Sequence, residues 1–162
     1  MNNNKNTYIN NIDKASKLRE TNILKHKNFS VNKIRLILTF KDKFPIKNTD
    51  KLPYSAYWIS GKKAEKIMIN SDSVIFLGLL NNNFYFSISM EKHYFPKNLY
   101  FDLRTLNPLL NDKDLRFLTT SRGLSYWHNK NKFCGICGYK TKMIDYGHTR
   151  LCDNEICKNK NF

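Results

Sequence analysis

Phe133-Cys134-Gly135-Ile136-Cys137-Gly138 opens the stretch that decides how this chain is organised, and Cys152-Asp153-Asn154-Glu155-Ile156-Cys157 closes it. All four cysteines of the protein lie here, spaced C-x2-C, then 14 residues, then C-x4-C. Two close pairs, each at a tight turn, supply the four thiolates of a tetrahedral Zn²⁺ site. Gly135 and Gly138 let backbone N–H groups turn toward the sulfurs and support their negative charge. Four thiolates fill the tetrahedron and leave no position for water, so the expected zinc is single and structural, held by Cys134, Cys137, Cys152 and Cys157. His148 lies between the pairs and is expected to be a loop residue outside the ligand set. The expected zinc ribbon spans residues 131–162. Its core candidates are Phe133, Ile136, Tyr139, Met143, Ile144, Tyr146 and Leu151, too few to fold without the metal.

Outward from the ribbon, residues 111–129 read as a helix leading straight into it. Asn111 or Asp112 caps it, Asp112 and Asp114 suit its positive end, and Leu115, Leu118, Arg122 and Tyr126 form its stripe. Further upstream, residues 74–80 and 84–90 are β-rich runs around Asn81-Asn82-Asn83, a hairpin because Asn tolerates left-handed angles. Residues 31–40 read as a strand with Ile34, Leu36, Leu38 and Phe40 on one face, residues 54–59 as another, and residues 100–103 as a short extended piece. Residues 13–19 read as a helical turn or two with Asp13 as N-cap, and residues 1–11 as a polar, disordered tail. The expected fold is α+β: a mixed sheet-and-helix domain over residues 12–130, then the ribbon.

The chain has 162 residues, 41% of them hydrophobic, enough for a packed core. No run of about 18 apolar residues suggests a membrane span. No apolar stretch follows the charge of Met1-Asn2-Asn3-Asn4-Lys5, so a secretory signal is not expected and the cytoplasm is the default. That context also argues against disulfides. Lys+Arg number 28 against 13 Asp+Glu, a net charge of +15. Either an Asn- and Lys-rich composition or a polyanion-binding face accounts for it. Lys130, Lys132, Lys140, Lys142, Arg150, Lys158 and Lys160, with Tyr139 and Tyr146, are the candidates for phosphate contact on the ribbon. His93 and His128 are expected to be structural, and Asp102 with Arg104 to form an ion pair within the domain.

Several pieces together resemble the NADH pyrophosphatase (NAD⁺ diphosphatase) family of Nudix hydrolases. They are Asp13-Lys14-Ala15-Ser16-Lys17-Leu18-Arg19, Phe76-Leu77-Gly78 with Phe84-Tyr85-Phe86, Phe101-Asp102-Leu103-Arg104, Tyr126-Trp127-His128, the Phe133–Gly138 knuckle, and Gly147-His148-Thr149-Arg150-Leu151-Cys152. The resemblance implies Mg²⁺-dependent cleavage of the NAD(H) diphosphate, with NAD-capped RNA as a substrate of some members, by a homodimer. It also implies a catalytic Nudix domain after the ribbon, where this sequence stops at Asn161-Phe162. A Nudix box needs a Gly with a Glu six residues later and paired glutamates that gather Mg²⁺. Here the residues six after each glycine are Ile67, Phe84, Asn129, Thr141, Ile144 and Asp153, and Glu20, Glu65, Glu91 and Glu155 stand apart. These 162 residues are therefore expected to be structural and dimerising, inactive alone, with Mg²⁺ relevant only once a Nudix domain is supplied. A fragment, a split gene and a frameshifted gene all fit. The alternative is a stand-alone zinc-ribbon protein that binds nucleic acid, with RNA as the partner.

Overall fold

A computed structural model describes residues 12–19 and 23–162. The polar segment 1–11 lies outside the described residues. α1 (Ser16–Arg19) is short, and Asp13 does not cap it. The Asp13 carboxylate instead accepts from the Ala15 N–H at 2.7 Å, while its backbone pairs with Leu79. That pairing satisfies sheet-edge groups that would otherwise be left open.

The main sheet is built on β1 (Ile34–Phe40), which turns through Lys41 and Asp42, both with positive φ, into β2 (Lys43–Asn48). Residues 54–59 do not form one strand. β3 (Ser55–Ala56) pairs with β2, whereas β4 (Ile59–Ser60) pairs with β1, so the chain must break between them to reach two partners. Ser60-Gly61 then starts α2 (Gly61–Ile69), which buries Ala64 and Met68 one turn apart.

β5 (Ile75–Leu80) and β6 (Asn83–Met90) form the expected hairpin, with a tighter turn than expected. Asn81 and Asn82 alone take positive φ (49° and 58°), and Asn83 is already paired with Leu80. β6 then runs parallel to β1 from Ile34↔Phe84 to Phe40↔Met90. β7 (Tyr100–Asp102) adds to β2, completing a seven-stranded sheet with the central order β3-β2-β1-β6-β5.

Both faces of β1 are buried. Ile34, Leu36 and Leu38 meet Phe76, Phe84 and Phe86, while Ile37 meets Phe44, Leu106 and Leu118. Phe40, at the strand end, is only half-buried. α3 (Leu103–Leu106) and α4 (Asp112–Lys130) cover the second face. Asn111 caps α4, its side chain accepting from the Asp114 N–H at 2.9 Å. The buried stripe of α4 is Asp114, Phe117, Leu118, Ser121 and Ser125; of the expected stripe only Leu118 is fully buried, and Tyr126 is 59% exposed. The helix is turned because Phe117 stacks on Tyr85, with ring centroids 3.9 Å apart, and Asp114 is drawn inward by three donors.

The chain after α4 forms a second, three-stranded antiparallel sheet of β8 (Thr141–Ile144), β9 (Thr149–Cys152) and β10 (Lys160–Asn161), ordered β10-β9-β8. The architecture is α+β. Among the described residues, no helix is long and apolar enough to cross a membrane.

Candidate metal centre

The two cysteine turns are built alike. In the first, the Gly138 N–H donates to the Cys134 carbonyl at 2.9 Å, and Gly138 takes φ +71°. In the second, the Lys158 N–H donates to the Asn154 carbonyl at 3.0 Å, and Lys158 takes φ +45°. Asn154 occupies the place that Cys134 holds in the first turn: its Oδ1 accepts from the Ile156 N–H at 2.9 Å, as Cys134 Sγ does from Ile136 at 3.4 Å. The fourth sulfur comes from two residues earlier, Cys152 at the end of β9, which explains why the second spacing is C-x4-C rather than C-x2-C.

These turns bring all four Sγ atoms within 4.8 Å of one another, a group that can hold a metal ion. Cys134 Sγ lies 3.9 Å from Cys157 Sγ, and Cys137 Sγ 3.4 Å from Cys152 Sγ. A disulfide requires about 2.05 Å. Sulfur ligands about 2.3 Å from a tetrahedral metal stand about 3.8 Å apart. The backbone N–H groups of Cys137 and Ile136 hold the Cys134 thiol down to about 6, while burial pushes the Cys152 thiol up to about 12. Four acidic groups packed this closely ionise together only around a cation.

His148 stands apart from the sulfurs. Its ring joins the second sheet to the first, with Nε2 2.7 Å from the Phe76 carbonyl and Nδ1 2.9 Å from Arg19 Nη1. A guanidinium only donates, so Nδ1 accepts and the proton sits on Nε2. His128, near the end of α4, repeats the arrangement in reverse. Its Nε2–H donates to the Gly147 carbonyl at 2.9 Å, and its Nδ1 accepts from Arg150 Nη1 at 3.0 Å. Burial depresses the pKa of both rings, opposed by the carbonyl each one meets and assisted by its arginine. His93 is an aromatic packing element, its centroid 3.8 Å from Phe40 and 5.1 Å from Tyr100.

Several expected roles change. Asp102 caps α3, accepting from the Thr105 N–H at 3.0 Å and its hydroxyl at 3.1 Å, rather than pairing with Arg104. Phe133, Ile136 and Tyr139 are 60%, 73% and 59% exposed, so they are surface and not ribbon core. Met143 and Tyr146 pack against clusters of the main sheet. Arg150 is half-buried and held in place, donating from Nε to Thr141 Oγ1 at 2.6 Å and from Nη2 to the Thr141 carbonyl at 2.7 Å. Lys142 pairs with Asp153 at 3.3 Å.

Sequence reasoning missed the network around Asp114. This carboxylate is 1% exposed and accepts from the Ala56 N–H (2.8 Å), Trp58 Nε1 (2.8 Å) and Asn111 Nδ2 (2.9 Å). The available signal was a second acid one turn ahead of Phe117 and Leu118, on the face that had to be buried.

No family model matches the chain. Over 106 residues it is 29% identical to Nudix hydrolase 19, chloroplastic, of Arabidopsis thaliana, covering 57% of this chain and 24% of that protein. Over 52 residues it is 36% identical to the NAD-capped RNA hydrolase NUDT12 of Homo sapiens, covering 32% of this chain and 11% of that protein. The Macaca fascicularis protein of the same name is 35% identical over 52 residues. Part of the chain is thus similar to Nudix hydrolases, and it spans 24% or less of the length of these relatives.

Proposed function

We propose that this chain is the non-catalytic portion of an NADH pyrophosphatase-like Nudix hydrolase, a body over residues 12–130 and a zinc ribbon over residues 131–162. Its task is to position, and pair into a homodimer, a Nudix domain that hydrolyses the diphosphate of NAD(H), NAD-capped RNA included, in the cytoplasm. One Zn²⁺ held by Cys134, Cys137, Cys152 and Cys157 shapes the ribbon. Mg²⁺ enters only with the Nudix domain.

The observation that carries this reading is the gathered set of four sulfurs at the end of α4, in a chain whose four glutamates are nowhere adjacent. A closed four-thiolate site offers a metal no open position, so it suits architecture rather than hydrolysis. The similarity of part of the chain to Nudix hydrolases supports the family assignment.

The test combines two measurements on the purified 162-residue chain. Elemental analysis should give one zinc per chain. Incubation with NADH and Mg²⁺ should give no hydrolysis. Hydrolysis abolished by substituting an acidic residue of this chain would refute the reading, as would a reduced, freshly purified chain without zinc.

A further inference from the structure

Beside the sulfur cluster, the end of α4 and the first cysteine turn enclose a cleft of about 360 Å³. Arg150 lines it, together with Lys132, Lys140, Phe133, Thr141 and His128, and no carboxylate does. The Arg150 guanidinium is already oriented by its three hydrogen bonds, to the Thr141 hydroxyl, the Thr141 carbonyl and His128 Nδ1. Of its five N–H donors these use three. Neither ion pair among the described residues involves it; Asp153, the carboxylate that acts on its charge, is paired with Lys142. His128 adds no competing charge, because its proton is fixed on Nε2 by the Gly147 carbonyl.

Lys132 and Lys140 rise on either side as exposed residues, brought together by the bridge between Phe133 and Lys140 and by the Thr141 N–H donating to the Lys132 carbonyl at 3.0 Å. The Phe133 ring is 60% exposed on the same cleft. A pre-oriented guanidinium with spare donors, two mobile ammonium groups and an open aromatic face match the parts of a nucleotide: its phosphate and its base. The cationic surface does not end at the cleft. Residues 129–162 carry seven basic side chains, Lys130, Lys158 and Lys160 among those outside it, against three acidic ones.

We propose that this cleft is a binding site for single-stranded nucleic acid, with successive phosphates seated on Arg150, Lys132 and Lys140 and one base stacked on Phe133. The site needs no catalytic domain, so it goes beyond the architectural role above and is tested separately from it.

The test uses the full chain with its zinc and a fluorescein-labelled single-stranded RNA of roughly 12 nucleotides. Anisotropy titrations are run at about 50 and about 200 mM salt. Three phosphate-neutralising cations predict a slope of log K against log salt near about −2, so affinity should fall about 20-fold across that range. Lys132→Gln/Lys140→Gln should leave one cation and a fall of only about threefold. Phe133→Ala should weaken binding at least about fivefold with the slope unchanged. Lys62→Gln/Lys66→Gln on α2, exposed and elsewhere on the surface, should match the parent. Circular dichroism and zinc content check that each variant folds.

Equal losses in the Lys62/Lys66 and Lys132/Lys140 variants would overturn the site, since diffuse charge then explains binding. No saturable binding at the lower salt would overturn it, as would equal affinity for a duplex of the same sequence. Competition by AMP as strong as by the unlabelled strand would replace the strand with a free nucleotide. None of these results bears on whether the chain hydrolyses NADH.

Discussion

Lowering the pH from about 7.5 to about 5.5 should weaken the join between the two sheets, and the two histidines that make it set the size and sign of the effect. His148 and His128 are both neutral in the folded chain, each donating from Nε2 across the join and accepting at Nδ1 from an arginine. Burial comes first among the causes that hold both pKa values below the ordinary 6.5. For His148, Arg19 and Lys14 add to this and Asp145 opposes it; for His128, Arg150 and His148 add to it. Below pH 6.5 the unfolded chain takes up protons that these folded rings refuse. Stability is therefore complete above about 6.5 and falls as the pH drops. The ceiling is about 1.4 kcal/mol per pH unit for each ring, and because both rings are partly solvated we expect about half of that. The pair then contributes about 1.4 kcal/mol per pH unit. Urea unfolding followed by tryptophan fluorescence measures it, since Trp127 lies 4.8 Å from the His128 ring. Gln keeps a donor and an acceptor without titrating, so His128→Gln and His148→Gln should each remove about half of the slope. Acid effects on the thiols and carboxylates are common to parent and variants and cancel in the difference. A double variant with the parent's slope, or a parent that gains stability on acidification, would refute the reasoning.

Other substitutions probe separate parts of the molecule. Cys152→Ser should abolish stoichiometric zinc and expose the amides of residues 131–162 to hydrogen exchange, while the seven-stranded sheet keeps its protection. Asp114→Ala strands the buried Ala56 N–H and the half-buried Trp58 N–H, and removes one acceptor of Asn111, so it should cost about 2–4 kcal/mol in urea unfolding. Gly147→Ala forces a residue into φ +84° and sets a Cβ 2.8 Å from Ile75 Cγ1, so a loss of about 2–4 kcal/mol is expected in the same assay. Ser121→Ala removes a buried hydroxyl that has no hydrogen-bond partner and should raise the thermal midpoint, by about 1 kcal/mol of stability.

What the sequence revealed was what local chemistry enforces. The hairpin was legible because Asn81 and Asn82 tolerate the positive φ that a two-residue turn demands, and the start of α4 because Asn111 is a strong cap. The sulfur cluster was legible because ligand spacing is a short-range property. β2 stayed hidden behind Pro45 and two lysines, which weaken a strand signal until β1, β3 and β7 supply its partners. α2 opens on a glycine and shows only Ala64 and Met68 as a buried pair, a short and faint period. The α4 stripe was misphased because Asp114, Ser121 and Ser125 are polar and buried, a choice made by tertiary partners rather than by hydropathy. Phe133, Ile136 and Tyr139 look like core from the sequence because large apolar residues usually are. Here they lie on the surface of a small sheet whose gathered sulfurs, able to hold a metal ion, stand where an apolar core would.

The join explains why the cysteine-rich sheet sits in one place. β5 is the edge of the main sheet, and its backbone groups require partners. Asp13 takes the edge at Leu79 on one side of the Gly78 bulge, and His148 takes the Phe76 carbonyl on the other. The turn that delivers His148 carries three successive positive φ values, 51°, 47° and 84° at Asp145, Tyr146 and Gly147. Only a glycine at the third position lets the backbone touch Ile75. Sliding the ribbon by one residue along β5 would lose the His148 bond to Phe76. It would also move the Gly147 carbonyl away from His128 and break the His128 bond to Arg150, leaving that guanidinium its two bonds to Thr141 in the same sheet. The pose of the cysteine-rich sheet and the wall that His128 gives the cleft beside the sulfurs are therefore one geometric choice, fixed by Gly147 and two neutral histidines.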